Sequence, residues 1–177
     1  MGGLMAGWWR TNRLALPAAI VLIPLTFGAL TWNEWNEAYG PSSHPVRIVD
    51  DGETVHAAGA TWGPARGGEL KDVTGLDVPR GAIVLAAGVP VAPDDEGVGC
   101  DWPVLIEQGT GRQWEPMRTE IGLDFDPTEP ESCSTSDVEP YELILPYVIP
   151  EDATGPFWVE IAAGDGYATV MRFPIER

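Results

Sequence analysis

Two cysteines, two histidines and 27 carboxylates are the side chains of this 177-residue chain from which chemistry could be built. Nucleophilic catalysis needs a hydroxyl or thiol beside a base, and only His44 and His56 offer an imidazole. His44 lies in Ser42-Ser43-His44-Pro45, and His56 sits between Val55 and Ala57 in a strand-like run. Neither belongs to a catalytic motif, and a surface or half-buried histidine is the expected outcome for His56. Paired carboxylates could hydrolyse glycosides, yet acids scattered this densely over loops come within range of one another by chance. A hydrolase is therefore the weakest of the functional readings.

The acidic run Asp124-Phe125-Asp126-Pro127-Thr128-Glu129-Pro130-Glu131 places oxygen donors at 124, 126 and 128, as a calcium loop begins. The match then fails, because position six is Glu129 rather than Gly and position twelve is Thr135 rather than Glu. A loose calcium site here or at Asp94-Asp95-Glu96 is the alternative to a solvated acidic loop. No cofactor is called for. Cys100 and Cys133 do not form a CxxC redox motif, and zinc would need two further ligands that only His44 and His56 could supply. In an oxidising compartment two such thiols pair. A disulfide closing a loop of roughly 34 residues contributes about 3.5 to 4 kcal/mol in the chain-entropy model.

Eight tryptophans complete the inventory. Trp114 and Trp158 fall within strand-like runs and are expected in the core. Trp102, between Asp101 and Pro103, is the first candidate for an exposed interaction residue, and Trp62, before Gly63-Pro64, the second.

The longest element needed to position these residues is Leu14 to Trp32, LALPAAIVLIPLTFGALTW, which carries no charge. At about 1.5 Å per residue it matches a hydrocarbon layer of roughly 30 Å. Arg10 and Arg13 precede it and Glu34 and Glu37 follow, so the Lys/Arg bias puts residues 1–13 in the cytoplasm as a short tail. Trp8 and Trp9 on one flank and Trp32 and Trp35 on the other would sit at the two membrane interfaces. The run is too long for a cleaved signal, and the nearest small-x-small site, Ala38-Tyr39-Gly40, lies well beyond it. Pro17 and Pro24 are each expected to remove a helical hydrogen bond and kink the span. Trp32, Trp35 and Tyr39 continue the helical spacing, so residues 14–39 read as a transmembrane helix with an extension that stops at Gly40-Pro41. Residues 40–45 are then a linker.

Residues 46–177 keep no 3.6-residue period for three turns, while β-branched and aromatic runs recur between Gly, Pro and Asp clusters. The reading is all-β, a sandwich of about seven or eight strands. The runs are 46–49, 54–62, 83–89, 104–108, 112–116, 141–148, 157–162 and 167–175. Gly109-Thr110-Gly111 marks one hairpin and Gly164-Asp165-Gly166 a closing turn. Residues 1–13 carry +2 and 14–39 carry −2, so the net charge of −17 belongs wholly to the remainder, with 25 acids and 8 bases. Nucleic acid is excluded as a partner of that part, because binding it needs Lys and Arg against phosphates.

Trp8-Trp9-Arg10-Thr11-Asn12-Arg13 before the apolar run, the Gly109-Thr110-Gly111 hairpin ending in Trp114, and Leu145-Pro146 through Gly155-Pro156 leading into the last strands carry a resemblance. The chain resembles small single-pass, membrane-anchored proteins of high-GC Gram-positive bacteria whose extracytoplasmic part is an immunoglobulin-like sandwich. The resemblance implies architecture and no catalytic signature. The expectation is a non-enzymatic surface protein, held in the bilayer by residues 14–32, whose outer sandwich meets an envelope or membrane protein; a small-ligand or calcium-binding module is the alternative.

Overall fold

The computed structural model describes residues 15–39, 45–124 and 126–177, which fall into two compact units, Met1–Ser43 and His44–Arg177. In the first, helix α1 spans Ala15–Tyr39 and ends where the Gly40-Pro41 pair follows. Its described side chains, 17–32, are all exposed, among them Ile20, Leu22, Ile23, Phe27 and Trp32. Pro17 lies in the first turn, where its missing N–H has no intrahelical partner to lose, so only Pro24 interrupts the ladder. Thr26 Oγ1 donates to the Leu22 carbonyl at 2.7 Å nearby. Among the described residues no helix is long and apolar enough to cross a membrane. Where a transmembrane helix was expected over residues 14–39, the structure shows a helix, α1, and does not show a span among the described residues. Trp8, Trp9, Arg10, Arg13, the tail 1–13, His44, the linker positions 40–44 and the side chain of Trp35 lie outside what is described.

The second unit is two sheets. Ten strands follow in order: β1 (Val46–Ile48), β2 (Val55–Ala57), β3 (Ala60–Trp62), β4 (Arg66–Glu69), β5 (Ala82–Pro93), β6 (Val104–Glu107), β7 (Gln113–Trp114), β8 (Tyr141–Pro150), β9 (Phe157–Ala163) and β10 (Thr169–Ile175). One sheet runs β1-β10-β9-β6-β7, with β1 parallel to β10 and the rest antiparallel. In the other, β5 pairs with β8 along one edge and with β3 and β4 in turn along the other, β2 lying outside β3.

Side-chain alternation decides which faces meet. In β9 Phe157, Val159, Ile161 and Ala163 are buried and the intervening residues are not. They join Leu105, Met171 and Phe173 from their own sheet and Leu85, Val89, Leu143, Leu145 and Tyr147 from the other in one cluster. That places the core between the sheets, as in a β-sandwich.

Four expectations need correcting. The run 54–62 is two strands, because Ala58 (φ 51°) and Gly59 (φ 77°) fold it into a two-residue hairpin turn. Strand β4 was hidden by its composition, Arg-Gly-Gly-Glu, which carries no β-propensity; Gly67 is needed there because a Cβ would meet Ile175. Trp62, expected as an exposed interaction candidate, is fully buried, with Nε1 donating to the Ala57 carbonyl at 2.9 Å. Trp158 is half-buried and lies outside the core, since its neighbours Phe157 and Val159 take the inward positions. Trp114 does pack against the core, edge-on to Phe157 with centroids 6.3 Å apart.

These positions give opposite expectations for two tryptophans. Trp62→Ala opens a cavity and should cost about 3 to 5 kcal/mol, whereas Trp102→Ala at an exposed site should change stability by no more than about 0.5 kcal/mol. Urea unfolding followed by far-ultraviolet circular dichroism measures both; equal losses would contradict this packing.

Candidate functional site

Several connections meet where β5 and β9 end and β6 and β10 begin. The β2–β3 turn (Ala58, Gly59), the segment 94–99, Thr135 and the turn 164–169 line an open groove of about 930 Å³. Short backbone bonds hold its walls: Asp94 N–H donates to the Gly59 carbonyl at 3.0 Å, and Gly164 N–H to the Gly99 carbonyl at 3.0 Å. Gly97 is obligatory for a steric reason, since a Cβ there would collide with the Thr135 carbonyl. The Cys100–Cys133 disulfide, with Cα atoms 5.2 Å apart, fixes that approach, and Cys133 N–H lies 3.2 Å from Cys100 Sγ. Both cysteines are therefore structural, as the sequence led us to expect.

The groove is lined by Asp94, Asp95, Glu96 and Asp165 together with Tyr167, which is 46% exposed. Asp94 faces His56 Nε2 at 3.7 Å, while His56 Nδ1 lies 3.4 Å from Thr61 Oγ1. Asp95, Glu96 and Asp165 form no ion pair among the described residues. Trp102, three residues beyond Gly99, is 58% exposed, its N–H bonded to Asp101 Oδ1 at 2.9 Å and its neighbour Asp101 N–H tied to the Ala162 carbonyl at 2.8 Å.

Two charged clusters elsewhere are closed on themselves. Glu107, at the end of β6, is buried and accepts from Arg112 Nε at 2.9 Å and from Thr110 Oγ1, and Arg112 also reaches Asp152 at 3.2 Å. The Arg112 guanidinium, with help from Thr110, holds the Glu107 carboxyl down at about 2. That guanidinium also lies 5.5 Å from the Trp114 ring centroid. The hairpin signalled by Gly109-Thr110-Gly111 is thus fastened by charge at its tip.

The second cluster reorganises the suspected calcium loop. Arg118, the only basic residue between Arg112 and Arg172, is buried and donates to Glu129 at 3.2 Å and to the Asp124 carbonyl at 3.4 Å, with Glu131 3.8 Å away. Asp126 turns instead to Thr128, accepting from its N–H at 2.8 Å and its hydroxyl at 2.7 Å, which lowers the Asp126 carboxyl below the usual range. Burial pushes Glu131 up despite Arg118. The cation these oxygens surround is a side chain of the chain itself. Among the described residues no group of three or more His, Cys, Asp or Glu could hold a metal ion.

Nothing in these clusters makes a nucleophile beside a base. Burial pushes the Tyr141 hydroxyl up to about 12 and the Tyr147 hydroxyl well above the usual phenol range, so both stay protonated; Tyr147 donates to the Pro103 carbonyl at 3.4 Å. The sequence disclosed the disulfide and the exposure of Trp102. It did not disclose Tyr167, the groove beyond the Asp94-Asp95-Glu96 run, or the Arg118 cluster, whose one signal is a lone arginine in a long acidic stretch.

The Glu107 shift sets a pH window. Its folded value lies below the ordinary 4.5, so the pairing stabilises the fold fully above that range and is lost as pH falls from about 4.5 to about 2. Glu107→Gln should flatten the thermal midpoint across that interval relative to wild type; an unchanged slope would remove Glu107 as its source.

No protein-family model, curated protein or solved structure matches this chain.

Proposed function

We propose that the chain is a non-enzymatic, single-pass membrane-anchored protein whose outer domain, an immunoglobulin-like sandwich, binds another protein at the cell envelope as an accessory subunit of a membrane complex. The observation that carries the reading is Trp102, which the outer domain leaves 58% exposed while it buries Trp62 completely. A folded domain that can bury one tryptophan gains by burying a second, and large aromatics left in solvent are the residue type on which protein interfaces concentrate their binding energy.

The immunoglobulin-like reading is supported by strand order. The sheet containing β10, β9, β6 and β7 corresponds to strands G, F, C and C′, with β5 and β8 as B and E opposite. The membrane reading rests on the uncharged run 14–32 and its flanking charges and tryptophans. It is supported by the exposure of every described side chain in 17–32, because a helix apolar on all faces needs an apolar surrounding. The N-terminus would then be cytoplasmic and the sandwich extracytoplasmic, where the disulfide is stable. Against catalysis stand the two histidines, of which His56 is an exposed strand residue paired with an aspartate.

Two measurements test this together. Membranes washed with alkaline carbonate should retain the chain, and release into the supernatant would end the anchored reading. A stoichiometric protein co-purifying in mild detergent should be lost at least about tenfold with Trp102→Ala, and full retention by that variant would remove Trp102 from the interface.

A further inference from the structure

Resting on the reading that the outer domain meets a protein through Trp102, we infer that this protein is a second copy of the same chain, packed face to face on the outward side of the sheet β1-β10-β9-β6-β7. Because Phe157, Val159, Ile161 and Ala163 point into the core, Trp158, Glu160 and Ala162 point out. Strand register fixes their neighbours. The middle row across the sheet is Ile48, Arg172, Glu160 and Val104. On one side of it lie Pro174, Trp158 and Ile106, on the other Val46, Val170 and Ala162. Trp102 completes that last row. Cys100 bridges Ala163 and Val104 pairs with Glu160, so Asp101, Trp102 and Pro103 fill the interval, with Asp101 N–H on the Ala162 carbonyl at 2.8 Å. Pro103 is buried and Trp102 is not, which turns Trp102 outward. Around one ion pair these rows are apolar, and they leave Ile48 59% exposed and Trp158, Pro174 and Val104 half-buried.

That ion pair selects the occupant. Glu160 and Arg172 are the midpoints of the seven-residue strands β9 and β10, and they meet at 2.7 Å in the middle of the face. One acid beside one base is complementary to itself: a two-fold axis running between β9 and β10 and parallel to them sets Glu160 against the Arg172 of the second copy. The same turn lays Ile48 on Val104, Trp158 on Pro174 and Trp102 on Val46. A two-fold across the strands would instead set Glu160 on Glu160 and Arg172 on Arg172. Chain connectivity makes the same choice. The lengthwise axis keeps both copies of Val46, which follows the linker, at one end of the pair, where two anchors reach one membrane; the crosswise axis sends them to opposite ends. Each copy carries −17, but this face is balanced, and charges elsewhere are screened beyond about 8 Å at physiological salt. Five strands about 4.8 Å apart, the longest of them seven residues at about 3.3 Å each, offer roughly 500 Å² per copy, so association in the micromolar range is expected.

The test uses the full chain in non-ionic detergent, with donor and acceptor dyes on Lys71, the one lysine, and energy transfer read up to about 100 µM at about 0.15 M salt. Expected is saturable transfer, weakened at least about tenfold by Ile48→Ala combined with Trp102→Ala. Glu160→Arg and Arg172→Glu, each alone, should stay monomeric, and an equimolar mixture of the two should associate again to within about threefold of wild type. Neither variant keeps the pair within one copy, so only contacts between copies account for that recovery. Melting by circular dichroism checks the fold of each, and where a charge variant fails to fold the Ile48 and Trp102 variant decides. Copies with Ile48→Cys should cross-link to copies with Val104→Cys and not to themselves. A wild type monomeric throughout, a dimer indifferent to these substitutions, a mixture of folded charge variants that stays monomeric, or self-linking of Ile48→Cys would each overturn the inference. If a different protein co-purifies through Trp102 while the chain is monomeric, the dimer falls and the interaction reading survives.

Discussion

The antiparallel pairing of β5 with β8, unbroken from Ala82↔Pro150 to Val91↔Tyr141, is the constraint around which the outer domain is arranged. Three prolines lie within it, at 90, 146 and 150, in a position where a missing N–H normally breaks a ladder. Neighbouring bonds explain how Pro90 and Pro146 are tolerated. A strand residue points its N–H and C=O to the same edge, and the Pro90 carbonyl accepts from Gly63 on the side away from β8, at the gap where the chain passes from β3 to β4. The Pro146 carbonyl likewise accepts from Met117 on the outer edge of β8. Neither ring costs the β5–β8 ladder a donor. That outer edge is in turn covered by Met117 and Pro130, so the irregular stretches 116–124 and 126–131 serve as an edge cover and shield the strand from pairing with another chain.

Because that segment must lie flat on β8, its charges have to be settled locally. Arg118 does this from inside, with Glu129 and Glu131 around it and Ile121 buried beside them. The same rule runs through the domain. Arg172 pairs with its cross-strand neighbour Glu160 at 2.7 Å, and Arg177 with Glu69 at 3.1 Å. Arg66 reaches Glu142 across Gly88, where any side chain would intrude. Of the paired arginines of this acidic domain, Arg66 opens β4, Arg112, Arg118 and Arg177 lie outside strands and Arg172 lies within β10, while the carboxylates left over lie in solvent, including the end where the groove lies.

How much of this the amino-acid sequence discloses differs by level. Strands with continuous apolar runs or strict alternation, 83–89, 141–148 and 157–162, are legible because burial on one or both faces writes itself into composition. β4 is not legible, since Gly67 is needed for closeness to Ile175 of β10 and the Arg-Gly-Gly-Glu run carries no apolar signal. Trp62 and Trp102 look alike locally, each followed within two residues by a proline, and only the tertiary register separates them: Trp62 pairs with Val91 inside the second sheet, while Trp102 stands two residues before β6 begins. The groove is the least legible feature of all. Its walls come from four places far apart in the chain, and its construction depends on backbone approach at Gly97 that no local pattern encodes.

The disulfide connects these levels. By chain entropy alone a bridge over 33 positions stabilises the fold wherever it is placed. Its actual location is more specific: Cys100 sits on the bridge to Ala163 that begins the β9 flank of the groove, and Cys133 begins the segment that meets Gly97. Without it, the segment after the Arg118 cluster would be tied down only by turns such as Asp137 N–H to the Ser134 carbonyl. Loops of that kind sample many arrangements, and ordering them costs conformational entropy. Cross-linking the loop to the start of the β9 flank orders one wall beforehand. The bond is therefore better understood as preorganising the loop end than as compensating for a thin core, since the domain already buries one hydrophobic cluster with members from Val49 to Ile175.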